Sequence, residues 1–173
     1  VLIGDKDQLP SVDVGNVLSD LIESGLFSVS CLVNIYRQSE DSNISFNAHR
    51  INNGEFPVFP GKESDFFLVQ RESAEDIFAT TLDLVKNRLP KFLNAEPEEI
   101  QVLVPMKKGV CGAVNLNKAL QELLNPKGNK KEYVCGGVSF REGDKVMQTA
   151  NNYALEWVKY GRYPEYGSGI FNG

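Results

Sequence analysis

Apolar positions along the chain follow two rhythms. Short continuous runs, Val1-Leu2-Ile3, Phe66-Phe67-Leu68-Val69 and Ile100-Gln101-Val102-Leu103-Val104, predict buried strands, and residues 29 to 35 alternate enough for another. Between them the spacing becomes helical. Val14, Val17, Leu18, Leu21 and Ile22 stop before Gly25 and predict a helix over residues 15 to 24. Ser42 reads as the N-cap of a helix carrying Ile44, Ala48 and Ile51 and ended by Asn52-Asn53-Gly54. Ser73 with Asp76 makes a capping box for a long helix through Ile77, Leu82, Val85 and Leu89, and Asn125-Pro126 closes another that begins at Val114. Strands alternating with helices at this spacing predict an α/β fold with a mostly parallel sheet covered on both faces.

After residue 130 the rhythm changes again. Tyr133-Val134-Cys135, Val138-Ser139-Phe140 and Lys145-Val146-Met147-Gln148-Thr149 are short runs separated by Gly136-Gly137 and Glu142-Gly143-Asp144, which predicts antiparallel strands near the C-terminus. The tail from Tyr153 reads as a loop or an incomplete hairpin.

Composition narrows the class. With 42% hydrophobic and 24% charged residues, the 173-residue chain has the balance of a soluble globular protein. No run is long enough to span a membrane and no basic-then-apolar leader opens the chain, so a cytoplasmic protein with no membrane partner is expected. Cys31, Cys111 and Cys135 are odd in number and widely spaced, which fits reduced thiols and shows no zinc site. His49 is the sole histidine and has no nucleophile signature beside it, which argues against a serine or cysteine hydrolase. A start at Val1 in mid-strand, and an end at Asn172-Gly173 without a terminal element, imply a piece of a longer polypeptide.

In an open α/β sheet, ligands gather beyond the carboxyl ends of the strands. Three polar clusters are placed there: Gly4-Asp5-Lys6-Asp7-Gln8, Tyr36-Arg37-Gln38 and Met106-Lys107-Lys108-Gly109. The amide of Gln8 both donates and accepts, so it suits a group that holds a phosphate oxygen and an attacking water. Arg37 has the planar fork that neutralises a transferring phosphoryl group, or else it forms an ion pair with Glu40 or Asp41. Lys107 and Lys108 fit backbone phosphates despite a net charge of -5, because affinity follows the phosphates actually contacted. Asn151 and Asn152 with Tyr153 offer hydrogen bonds to a nucleic-acid backbone and a ring for stacking, or a simple asparagine turn. No Gly-x-x-x-x-Gly-Lys-Ser/Thr loop is present, nor a strand ending in paired acids for magnesium; no metal ligands are assigned, and alone the chain should not hydrolyse ATP.

Taken together, Gly4 to Val12 with Gly15-Asn16-Val17-Leu18 resembles helicase motif III of the RecD family, which includes the exodeoxyribonuclease V alpha subunit and its stand-alone relatives. Tyr36-Arg37-Gln38 with Ile44, Ala48-His49, Ile51-Asn52 and Gly54 resembles that family's motif IV. Val104 to Gly109 with Gly112 and Leu116-Asn117, then Gly143 to Thr149 with Asn151-Asn152-Tyr153, resemble its later blocks in order. The resemblance implies part of an ATP-dependent, superfamily 1 DNA helicase moving 5′ to 3′ on single-stranded DNA. It implies a partial RecA-like fold, with residues 1–25 ending a first RecA-like domain and 26–173 an incomplete second one that approaches an SH3-like insertion at Phe171-Asn172-Gly173. It also implies ATP and Mg2+ in the intact protein, and other exodeoxyribonuclease V subunits as partners in complex-forming members. By the same likeness Gly4, Asp5, Gln8 and Arg37 border the nucleotide, Gln8 as γ-phosphate sensor and Arg37 as arginine finger. Two alternatives stay open: a nuclease subunit, and a RecA-like nucleic-acid or protein-binding module without ATPase activity.

Overall fold

The computed structural model describes residues 1–9, 14–32, 42–61 and 64–171. The chain divides into two compact units, Val1–Gln70 and Arg71–Gly173.

The first unit is built on two helices. Helix α1, Val17–Glu23, follows the opening segment, and its Leu18 lies so close to Gly4 that a Cβ there would stand 2.8 Å from Leu18 Cδ2. Helix α2, Asn43–Asn52, is capped by Ser42, whose Oγ accepts from the Ser45 amide at 3.5 Å and donates to Asp65 Oδ2 at 2.6 Å. The Asp65 carboxylate also accepts from the Asn43 and Ile44 amides, and these bonds, led by that from Ser42, hold it below the usual carboxylate range. Asn47, fully buried, grips Val58 at both backbone atoms: Nδ2 donates to the carbonyl at 2.9 Å and Oδ1 accepts from the amide at 2.6 Å. Arg50 donates to the Phe56 carbonyl and pairs with Glu55 at 2.8 Å. The segment following α2 is thus fastened to it by polar side chains, while Phe59 and Phe66 stack with centroids 5.5 Å apart.

The second unit opens with α3, Ala74–Asp83, where Ser73 Oγ accepts from the Asp76 amide at 3.0 Å. A π-helical turn, Leu84–Arg88, interrupts the helix before α4, Leu89–Leu93. The Leu89 amide reaches back five residues to the Leu84 carbonyl, just before Pro90, which has no amide to offer the helical ladder. Helix α5, Ala113–Leu124, packs against α3. Among the described residues, Val85 and Leu116 are the buried hydrophobic side chains. Two hairpins follow. Strands β1, Glu132–Cys135, and β2, Val138–Arg141, meet at Gly136-Gly137, both with positive φ, the backbone that a two-residue hairpin turn requires. Strands β3, Asn152–Lys159, and β4, Glu165–Ile170, pair with an irregularity between Asn152 and Glu156. Trp157 sits opposite Gly167 and covers it, leaving no room for a Cβ, and donates from Nε1 to the Gly169 carbonyl at 3.2 Å.

The expected mostly parallel sheet does not form: among the described residues there are two separate two-stranded antiparallel sheets. The runs at 1–3, 66–69, 100–104 and 145–149 carry no strand, and neither do residues 29–32, the described part of the run at 29–35. The reason lies in what a parallel ladder needs. Each parallel strand requires a neighbour delivered by a long crossover, whereas both hairpins pair segments that are adjacent in sequence. The unpaired runs keep Leu2, Ile3 and Leu103 largely exposed. The antiparallel strands near the C-terminus are as expected for β1 and β2, and the tail forms a hairpin rather than a loop.

A polar network joins the β1–β2 hairpin to α5. Arg141, buried at the end of β2, donates to Glu132 Oε1 at 2.7 Å, to Glu122 Oε1 at 2.5 Å and to the Asn125 carbonyl at 2.7 Å. Asp144 accepts from Gln121 Nε2 and Asn125 Nδ2, each at 2.6 Å, and from the Arg141 amide at 2.7 Å. Gln121 also donates to the Ser139 carbonyl, and Lys130 donates to Asn125 Oδ1. Desolvation alone would raise the Asp144 carboxyl, but the bonds from Asn125, Gln121 and Arg141 outweigh it and hold the group below its usual range. Bonds from Lys127 and Arg141 lower Glu132 likewise. Both groups therefore stabilise the fold above the unfolded carboxylate range, near pH 4, and that contribution disappears as pH falls through their lower folded values. Thermal melts should hold a steady midpoint from pH 8 to 5 and fall below about pH 4, with a shallower fall in Glu132→Gln. A midpoint unchanged down to pH 2 would remove this network from the stability of the unit.

Candidate functional site

The loop from Gly4 to Gln8 is shaped by Asp5. Its Oδ1 accepts from the Asp7 amide at 3.0 Å, forming an Asx turn, and its Oδ2 accepts from Gln8 Nε2 at 2.8 Å. Gln8 therefore does not swing freely; its amide is oriented by the acid three residues before it. Lys6 donates to Asp7 at 2.6 Å, which lowers the Asp7 carboxyl and raises the lysine. Both residues belong to the loop that bears Gln8. Beside it opens a cleft of about 370 Å³ that Asp5, Lys6, Gln8 and Asn16 share with Leu2 and Leu18, a volume within the range of small-ligand sites. Gly4 serves here as the flat surface on which Leu18 rests. Arg37, with Tyr36 and Gln38, lies outside the described residues.

The second group of candidates is in the second unit. Lys107 and Lys108, both exposed, sit in a loop folded back on the start of α5. The carbonyls of Met106 and Lys107 accept from the Ala113 and Val114 amides at 3.0 and 3.2 Å, and Asn115 Nδ2 donates to the Val110 carbonyl at 2.7 Å. First-turn amides of α5 that would otherwise attract a phosphate are thereby occupied, so the lysine side chains carry the positive charge of this loop. Gly112 makes the fold-back possible: a Cβ there would lie 2.5 Å from the Lys108 carbonyl carbon and oxygen. Asn151 Nδ2 donates to the Tyr153 hydroxyl at 3.1 Å, and Asn152 Oδ1 accepts from the Ala154 amide at 3.2 Å. Tyr153 meets Phe171 edge-on at 5.7 Å. Lysines and asparagines occupy different segments, the lysines before α5 and the asparagines at the start of β3.

Three comparisons with known proteins bear on these segments. A family described as an AAA domain matches residues 1–65, which hold the Gln8 loop and α2. A second family, described as the ATP-dependent RecD-like DNA helicase SH3 domain, matches residues 116–173, from the first turns of α5 through both hairpins. The ATP-dependent RecD2 DNA helicase of Deinococcus radiodurans is 34% identical over 156 residues, covering 90% of this chain and 20% of that protein. These matches support reading the chain as a piece of a RecD-family protein. It spans about a fifth of the length of that relative. No solved structure matches it.

The residues alone do not mark the ties that hold the candidates in place. In the sequence Asn125 is marked only as the end of α5 and Gln121 has no role; their spacing of four, which brings Gln121 and the cap Asn125 together, is the one signal of a shared partner in Asp144. Among the described residues no group of acids, histidines or cysteines is arranged to hold a metal ion, and no helix is long and apolar enough to cross a membrane. The fold-back at Gly112 yields a direct test. Gly112→Ala should cost roughly 1–3 kcal/mol in denaturant unfolding, because the added carbon meets backbone rather than a movable side chain. A variant as stable as the parent would show that the Lys107-Lys108 loop is not clamped as described.

Proposed function

We propose that the chain is the part of an ATP-dependent DNA helicase that bears the γ-phosphate sensor, the arginine finger and a stretch of the single-stranded DNA path. Residues 1–25 would close one RecA-like domain and the residues after them would begin the next, up to the segment 116–173 that matches the SH3 domain family. The observation that carries this reading is the loop shaped by Asp5, which orients the Gln8 amide at the edge of a cleft within the segment that matches the AAA domain family. In the family resemblance this loop is motif III and Arg37 belongs to motif IV, the two edges of one nucleotide site.

ATP would supply the γ-phosphoryl group whose loss drives translocation, and this chain's residues would act at its edge. Gln8, parked on Asp5 in the present arrangement, would exchange that carboxylate for a phosphate oxygen and orient the attacking water. Asp5 fits this exchange, since a carboxylate holds the amide donor in place until a stronger acceptor arrives. Arg37 would neutralise charge in the transition state. The groups that would cradle the triphosphate and hold Mg2+ are not in this sequence, because it contains no phosphate-loop motif. Lys107 and Lys108 would pair with the DNA backbone while Asn151 and Asn152 bond to sugar or phosphate, movement running 5′ to 3′. The parent would work in the cytoplasm, alone or beside other exodeoxyribonuclease V subunits.

Arg37→Ala in the full-length protein should lower DNA-stimulated ATP turnover by about a thousandfold while leaving ATP binding within about twofold. Unchanged turnover would sink the arginine-finger role. A full-length protein that binds DNA and never hydrolyses ATP would favour a binding module instead.

A further inference from the structure

The Lys107-Lys108 loop is fastened to the start of α5, and Asp144, which precedes the segment carrying Asn151 and Asn152, is fastened to its end. At the start of α5 the Met106 and Lys107 carbonyls accept from the Ala113 and Val114 amides, fixing the Lys107-Lys108 loop. Toward its end, Gln121 and Asn125 reach one carboxylate, Asp144, with donor–acceptor distances of 2.6 Å to its two oxygens. The segment that leaves Asp144 runs to Asn151 and Asn152. Its first residue, Lys145, donates to the Glu98 carbonyl at 2.6 Å and is 3.4 Å from that of Ile100, at the root of the run leading to Lys107. A 12-residue helix is a stiff strut of about 18 Å.

We propose that Asp144 is a positioning residue for single-stranded DNA: by gripping Gln121 and Asn125 it holds the Asn151-Asn152 segment in register with the Lys107-Lys108 loop across α5. This rests on the reading of those four residues as DNA contacts. Two weak contact groups add their binding free energies fully only when their spacing is set before the ligand arrives. A carboxylate is an unfavourable neighbour for a polyanion, and its positioning role gives it an effect of opposite sign to its charge.

That opposition makes the test sharp. Removing a negative charge should tighten binding to DNA if electrostatics alone acts, whereas loss of the grip should weaken it. Asp144→Asn turns an amide donor toward the donors of Gln121 or Asn125. In the full-length protein, titrated with a fluorescent oligothymidylate over a range of salt, this variant should bind about tenfold more weakly. Its slope against log salt should not change, since the lysines are intact. Adding Gln121→Glu restores an acceptor opposite the new amide at the original net charge, and should bring affinity back to within about threefold. Thermal melts accompany each variant; if Asp144→Asn fails to fold, Gln121→Ala, which removes a single donor, is read in its place for a loss of about threefold. A folded variant binding as tightly as the parent, or tighter, overturns the positioning role, as does a folded double variant that stays tenfold weak. Lys107→Ala with Lys108→Ala separates the two ideas: undiminished affinity in that protein overturns the contact reading itself, whereas a loss there with none in Asp144→Asn overturns the positioning role alone.

Discussion

Arg141 and Asp144, three residues apart, form the bond set on which the second unit depends. Few apolar side chains are buried there, Val85 and Leu116 among the described residues, so hydrophobic burial alone does not tie the β1–β2 hairpin to α5. The guanidinium does so from one side, through Glu122, Glu132 and the Asn125 carbonyl, and the carboxylate does so from the other, through Gln121 and Asn125. A polar latch of this kind is directional. It fixes which face of the hairpin meets the helix, and a buried guanidinium left without its acids would be costly. The same latch leads directly into the segment carrying Asn151 and Asn152, so fold and candidate function meet at one carboxylate.

The first unit uses the same economy. Asn47 takes the place of a strand partner for Val58, Asp65 seals the start of α2, and Asp5 orients Gln8 within its loop. Polar side chains, each satisfied, do work that a sheet does in a larger α/β domain. The consequence for chemistry is that Gln8 is held by an acid of its own loop, a bond that the proposed phosphate contact would have to displace.

The helices were legible in the sequence because their signals are local. Ser42, Ser73 and the apolar spacing of α5 place element starts within a residue or so, and Gly136-Gly137 announces its hairpin turn. The parallel sheet was misread for the opposite reason. Val1-Leu2-Ile3 and Val102-Leu103-Val104 look like central strands, but strand formation depends on partners far away in sequence, and apolar runs say nothing about whether those partners are present. The order of motifs pointed to the family, and the match to a RecD2 helicase agrees with it. What those motifs could not reveal is their fastening, because Asp5 with Gln8 and Asp144 with Gln121 pair residues whose types are common on any surface.

Native-state hydrogen exchange tests the latch most directly, by comparing the amides of β1 and β2 with those of the last turns of α5. If Arg141 and Asp144 bind hairpin and helix into one cooperative unit, the two sets open with the same free energy and lose protection together as the carboxylates are protonated. A hairpin that exchanges far more readily than the helix, at neutral pH, would contradict the account.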